Sequence, residues 1–335
     1  MLELPVRPGP DVPVRRRIFE RRWLGFAGKA LVSIGLLWLL SRGLPAAEFA
    51  TSISSMRPVA VAAAGLLLVV VIGLGAVRWR LVAACLGVPL PLATTIRLSF
   101  EGLFFSQALP STVGGDAVRA FRAARLGLPV RDVVHGVILD RLIGLIGLLV
   151  LVAIGLPALA ARIPDFKGAG LAGLMIIGIG GAVALFGLGA LPDRLRRLRL
   201  VAMGAALSEA AWQVLTTPFT AGATLLVSVV IHVLTVVSVA LLAAGLNAPI
   251  GLVDCFLVVP AALLVAAVPI SIAGWGVRES AMMGGFALLG VGDGSDALAL
   301  SVLFGGMLIV TSLPGGLLWL IVGTPDRASG SAISP

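Results

Sequence analysis

Charge is scarce in this 335-residue chain: Asp, Glu, Lys and Arg together make up 12% of it. Soluble domains carry roughly 25%. With 59% hydrophobic residues and a mean hydropathy of +1.10, the stock of polar side chains cannot clothe a water-exposed surface. Cysteine is nearly absent. Cys85 and Cys255 stand alone in or beside apolar runs, which excludes a disulfide framework and a thiolate metal site. The two histidines, His135 and His232, are far apart and form no paired-ligand motif, so no metal and no cofactor is expected. Tyrosine is missing altogether, which reads as a compositional bias towards Ala, Gly, Val, Leu and Arg. There is no phosphate-binding P-loop, no H-E-x-x-H, no G-x-S-x-G and no dinucleotide fingerprint, so hydrolytic or nucleotide-driven chemistry has no motif to rest on.

What the chain does have is long apolar runs. They fall at about 24–40, 58–77, 142–161, 169–191, 219–245 and 297–322. Each can cross a hydrocarbon core, for which about 20 residues suffice. Two shorter stretches, 98–109 and 252–268, run into breaks rich in Pro and Gly, and a short piece follows at 280–292. Such pieces read as broken or re-entrant helices. The expected fold is all-α: a polytopic transmembrane helix bundle with about six to eight passes. Expected segments are a basic cytoplasmic stretch over 1–23, one membrane domain over 24–322 and a short polar tail over 323–335.

The net charge of +9 would suggest nucleic acid in a soluble protein. Here most basic residues sit in short loops on one side of the predicted spans: Arg7, Arg15, Arg16, Arg17, Arg21 and Arg22; Arg78, Arg80 and Arg97; Arg119, Arg122, Arg125, Arg131 and Arg141; Arg194, Arg196, Arg197 and Arg199. That asymmetry places the N-terminus in the cytoplasm of a cell bearing this protein in its cytoplasmic (plasma) membrane, and makes a nucleic-acid partner unexpected. The basic segment and the first apolar run are both long, and no small-x-small site follows. The first span is therefore read as retained rather than cleaved.

The two breaks resemble each other. Pro110-Ser-Thr-Val-Gly-Gly115-Asp-Ala-Val-Arg119 and Pro269-Ile-Ser-Ile-Ala-Gly274-Trp-Gly-Val-Arg278 both fit P-x-x-x-[GA]-G-x-x-V-R, at a separation of 159 residues. Leu156-Pro157 and Leu313-Pro314 recur at an offset of 157. A duplication follows, with halves at about 24–165 and 166–322. Three full spans per half turn the second half upside down, the inverted-repeat plan of many transporters. Two ordinary breaks in an eight-span bundle are the alternative.

Chemistry concentrates at those breaks. Pro110 and Pro269 end helices. Gly114 and Gly115 give backbone freedom, Asp116 is positioned to cap the following helix, and Arg119 lies one turn in. A helix N-terminus beside a guanidinium suits a phosphate or carboxylate. Arg119, Arg122 and Arg125, spaced by three, are read as an interfacial flank facing anionic headgroups. Arg278 and Glu279, with Gly274 and Gly276 before them, are costly at membrane depth and need partners. The same question applies to Glu101, Asp140 and Arg141, candidates for ion coupling or for charge pairs. His232 is read as a helix-packing residue. Glu209 and Gln213 are read as the polar face of an amphipathic helix over 201–217.

These motifs carry a resemblance. Leu109-Pro110-Ser-Thr-Val-Gly-Gly-Asp116-Ala-Val-Arg119, with Asp140-Arg141-Leu-Ile-Gly144, is similar to the first signature of the lysylphosphatidylglycerol synthase transmembrane (flippase-like) family. Pro269-Ile-Ser-Ile-Ala-Gly274-Trp-Gly276-Val-Arg278-Glu279 is similar to the second. The resemblance covers about 24–322 and implies a lipid-handling membrane domain. No aminoacyl-transfer domain is recognisable, so the synthase activity of the family name is not expected here and the chain is not read as an enzyme. Ala273 and Trp275 depart from the family's glycine-rich pattern, and the bulk of Trp275 narrows any lipid path.

The expected function is translocation of an anionic phospholipid or polyprenyl-phosphate-linked lipid, or lipid binding within a transport complex. Arg119 and Arg278 would hold the headgroup from opposite sides, with the glycine breaks as the cavity floor. Expected partners are membrane lipids and a membrane or cytosolic lipid-modifying enzyme. The alternatives are a small-solute secondary transporter and a membrane-embedded lipid-phosphate transferase.

Overall fold

The computed structural model describes residues 56–109, 113–163, 169–268, 271 and 273–322. The basic N-terminal segment, the predicted span at 24–40, the polar tail, Pro110 and Pro269 lie outside the described residues. Within them are eleven helices and no strand: α1 Pro58–Cys85, α2 Leu92–Ala108, α3 Gly114–Arg125, α4 Val130–Arg162, α5 Ala169–Leu188, α6 Asp193–Arg196, α7 Arg199–Leu215, α8 Pro218–Gly245, α9 Leu252–Ala266, α10 Val277–Leu289 and α11 Gly294–Val322. Five of them, α1, α4, α5, α8 and α11, are long and apolar enough to cross a membrane. The protein is a multi-pass α-helical membrane protein.

The helices start and stop for local reasons that repeat along the chain. α1 and α8 both open on a proline, whose missing N–H is no loss in a first turn. Both close on the same hydrogen-bonded cap. Gly87 and Asn247 take the left-handed conformation, at φ +77° and +55°. Val88 N–H then reaches back to the Ala83 carbonyl, and Ala248 N–H to that of Ala243. α3 and α10 end likewise, before Gly127 and at Gly290. α4 and α11 both carry a proline inside, Pro157 and Pro314.

Packing repeats as well. Exchanging α1, α2, α3 and α4 with α8, α9, α10 and α11 turns one set of neighbours into the other. α2 packs on α3 and on α11; α9 packs on α10 and on α4. α3 lies on α4, and α10 on α11. The densest contact, α1 on α8, maps onto itself. Between α1 and α8 lie two further crossings, α4 and α5, so α8 runs opposite to α1 when α2–α3 and α6–α7 return to the face they left. An antiparallel arrangement of like halves is an inverted repeat.

The short helix pairs are hairpins held by small residues. Gly102 of α2 faces Gly115 of α3, and a Cβ on Gly115 would collide with the Gly102 carbonyl. Gly315 of α11 meets the Phe100 carbonyl in the same way, so α11 lies flush on α2. The largest apolar core joins α1, α8, α9, α10 and α11 around Leu68, Val236, Leu242, Val259, Phe286 and Phe304. A second one, with Trp79, Leu98, Ala123 and Val137, seats the α2–α3 hairpin against α1 and α4.

Candidate functional site

α4 starts well before the apolar stretch expected at 142–161. Its first turns, from Val130, are polar on one side only, so Asp140 and Arg141 sit three turns inside the helix rather than at its opening. α1 likewise continues past Val77 to Cys85. That extension carries Arg78 and Trp79 into the interior, where the sequence had suggested a loop. Four charges then meet in the space enclosed by α1, α3 and α4. Asp140, 2% exposed, accepts from Arg78 Nε at 2.8 Å and from Arg119 Nη2 at 2.9 Å. Arg119 Nη2 also lies 3.4 Å from Asp116 Oδ1, and Asp116 Oδ2 is 2.6 Å from Arg141 Nε. Arg78 continues the chain to Ser228 of α8, 3.0 Å away.

Two arginines and two aspartates make this buried set electrically neutral. Neutrality is what allows charge in a low-dielectric interior, where an unpaired ion costs several kcal/mol. Arg141 adds one positive charge at the edge, its side chain 58% exposed. Trp79 supports Arg119 from behind, its ring centroid 4.5 Å from the guanidinium carbon.

A cavity of about 250 Å³ opens on this set. Arg78, Asp116, Arg119, Asp140 and Arg141 line its polar side, Ser99 and Ser106 of α2 add hydroxyls, and Val71, Ile72, Leu103 and Ile231 form its apolar wall. Among the described residues, Arg119 Nε and Ser99 Oγ are buried without a hydrogen-bond partner. Buried polar atoms without a partner are rare in folded proteins, and these two belong to residues that line the cavity.

The expected cap at Asp116 is not formed. Val113 occupies the cap position without a side-chain bond, and Asp116, in the first turn, spends its carboxylate on Arg119 and Arg141. The arginine flank of α3 also faces differently from the expectation. Arg119 and Arg122 turn inward, at 8% and 1% exposure, while Phe121 and Arg125 face out. Arg122 Nη2 bonds Glu101 Oε1 at 2.9 Å, and Arg97 lies 3.7 Å from the same oxygen. Glu101 thus ties α2 to α3. Gly114 and Gly115 pack the hairpin and do not line the cavity.

The second break is built differently. Ala273, Gly274 and Gly276 all have positive φ, and α10 begins only at Val277, later than the aligned position in α3. Glu279 accepts from Gly276 N–H at 2.5 Å and from Arg278 Nη2 at 2.5 Å, with Ser301 adding a hydroxyl. Arg278 lies beside Trp275 and Phe304, 5.0 and 5.4 Å from their ring centroids. Arg278 and Glu279 are 3% and 0% exposed, and neither lines the cavity at Arg119. At the position aligned with Asp116 stands Trp275.

Residues 26–315 match the family model described as the lysylphosphatidylglycerol synthase TM region. The chain belongs to this family. No curated protein matches it. Membership ties this membrane protein to lipid biology through the transmembrane region that gives the family its name. Both aligned breaks and the whole charge cluster fall inside the matched residues.

Sequence reasoning missed Arg78, Trp79 and Ser228. Arg78 was counted with the loop arginines. The signal available was the absence of any helix-ending residue between Val77 and Gly87. His232, by contrast, packs as expected, its Nε2 2.9 Å from the Gly144 carbonyl of α4. Glu209 and Gln213 lie on the outer face of α7, where Glu209 pairs with Arg196 and Gln213 Nε2 donates to the Cys85 carbonyl.

Proposed function

We propose that the protein translocates an anionic phospholipid or a polyprenyl-phosphate-linked lipid across the cytoplasmic membrane, or binds such a lipid within a transport complex. The observation that carries this reading is Arg119. It is buried, stacked on Trp79, and lines a cavity of about 250 Å³. A guanidinium is suited to a phosphate oxygen because its planar fork offers two parallel donors. The acyl or prenyl chains would stay in the bilayer along the apolar wall. Arg278 is the matching contact proposed for the second half, reached when Glu279 releases it. Glu101 and Glu279 are the candidate coupling carboxylates. The arginines of the α5–α7 connection, with Arg125 and Arg131 at the facing ends of α3 and α4, support a cytoplasmic N-terminus.

The test is a scrambling assay. Purified protein is reconstituted into liposomes carrying fluorescent phosphatidylglycerol, aminoacyl-phosphatidylglycerol or a short polyprenyl phosphate, with an impermeant quencher outside. Faster loss of protected signal for one lipid, abolished by Arg119→Ala and by Arg278→Ala at unchanged protein abundance, is the expected result. Acceleration for none of the lipids counts against translocation by this chain alone. A substrate-dependent ion current without lipid movement would move the assignment to small-solute transport.

A further inference from the structure

Asp116 has no capping duty, yet it is held by two cations at the cavity. Arg119 and Arg141 both line that space, and the Asp116 carboxylate spans them, at 3.4 Å and 2.6 Å. The bond to Arg119 is the weaker. The Arg119 nitrogen concerned, Nη2, is already committed to Asp140 at 2.9 Å, and the buried Nε beside it has no partner. Asp140 has Arg78 as a second cation and is fixed by it. Among the described residues, Asp116 has only Arg119 and the half-exposed Arg141.

We propose that Asp116 is an internal surrogate for the ligand. Its carboxylate occupies a monoanion subsite formed by Arg119 and Arg141, and a phosphodiester enters by displacing it. This deepens the lipid-translocation reading and rests on the same cavity. The physical argument is one of exchange. A phosphodiester carries one negative charge on two non-bridging oxygens, as the carboxylate does, and can therefore bridge Arg119 and Arg141 in its place. The buried pair Arg78–Asp140 stays intact throughout, so the exchange leaves no stranded ion in the deepest part of the network. The carboxylate sets a threshold: a lipid without a phosphate has no charge with which to compete for the two guanidiniums and is refused.

The two roles open to Asp116 predict opposite signs. A structural latch weakens the site when it is removed. A competing surrogate strengthens anion binding when it is removed. Full-length protein in detergent is titrated calorimetrically with dioctanoyl phosphatidylglycerol, with inorganic phosphate and with dioctanoyl glycerol. Asp116→Asn and the smaller Asp116→Ser are expected to bind the phosphatidylglycerol about tenfold more tightly than the native protein, the scale of one partly screened charge-assisted bond. Arg141→Gln and Arg119→Gln are expected to bind it more weakly, and dioctanoyl glycerol not at all. The same gain with inorganic phosphate marks the subsite as one for phosphate from any source; a gain confined to the lipid marks it as a headgroup site.

A measurement on the native protein stands beside the variants. Labelling of Asp116 by a water-soluble carbodiimide, read by mass spectrometry, is expected to rise when dioctanoyl phosphatidylglycerol is present, because the displaced carboxylate loses its partners. Unchanged or weaker binding by Asp116→Asn in protein with native unfolding behaviour overturns the surrogate role, as does protection of Asp116 by the lipid. Tighter binding by the variants without any lipid scrambling leaves the surrogate standing and removes the translocation reading. Scrambling by native protein with no gain at Asp116 does the reverse.

Discussion

Replacing Asp140 by Asn tests the charge network at its centre. Asp140 is the one carboxylate that serves both Arg78 and Arg119, at 2.8 Å and 2.9 Å, and it is 2% exposed. Asn keeps the shape and one acceptor oxygen but removes the charge. Two buried guanidiniums then share a neutral group, and Arg119 retains only its longer contact to Asp116. Removing one partner of a buried pair costs about 3–5 kcal/mol. The hydrogen bond that Asn can still accept returns about 1 kcal/mol. A loss of about 3 kcal/mol is expected, a change of roughly 150-fold in the unfolding equilibrium. Unfolding in mixed micelles of increasing denaturing detergent, followed by tryptophan fluorescence, reads it. Arg78→Met in the same background removes one stranded cation. The double variant is therefore expected to be more stable than the sum of the single losses by about 2 kcal/mol. Strict additivity, or a loss below about 1 kcal/mol for Asp140→Asn, would refute the view that neutrality holds this cluster together.

Other predictions use the same assay. Gly115→Ala is expected to lose about 1–3 kcal/mol, since its Cβ would collide with the Gly102 carbonyl; native stability would mean that the α2–α3 contact is looser than described. Gly276→Ala, at φ +84°, should lose about 1–2 kcal/mol from the left-handed backbone alone; a neutral result would mean that this turn can rearrange freely. Glu279→Gln can still accept from Gly276 N–H but strips Arg278 of its counter-ion, and is expected to lose about 3 kcal/mol. A loss of only a few tenths would show that Trp275, Phe304 and Ser301 suffice to hold Arg278.

The five spans among the described residues were legible because membrane insertion is written in composition: a run such as Leu66–Ile72 has no other stable home. The repeat was legible too, since the Pro, Gly and Arg positions that shape a break must survive in both copies. Depth was harder to read. Hydropathy ended α1 at Val77 and opened α4 at Leu142, because it averages over the very charges that lie inside. Arg78 and Asp140 cancel each other across 62 residues of sequence, and no local window sees that cancellation. For the same reason the three arginines of α3 looked like a surface flank. The inward turn of Arg119 and Arg122 is decided by Asp140 and Glu101, on other helices. Asp116 had the position of a cap but found cations, and a carboxylate between two guanidiniums gains more than one facing backbone N–H groups.

An ideal inverted repeat has two mirror conformations of equal energy, since exchanging its halves regenerates the same molecule upside down. In this chain the exchange is not a symmetry of the side chains. Asp116 beside a cavity in one half corresponds to Trp275 packed near Arg278 in the other. One break is charged and borders a cavity; the other packs aromatic rings on its arginine. Any two conformations that traded the environments of these breaks would therefore differ in energy, so the departure from symmetry at Asp116 and Trp275 would favour one of them before any substrate arrived.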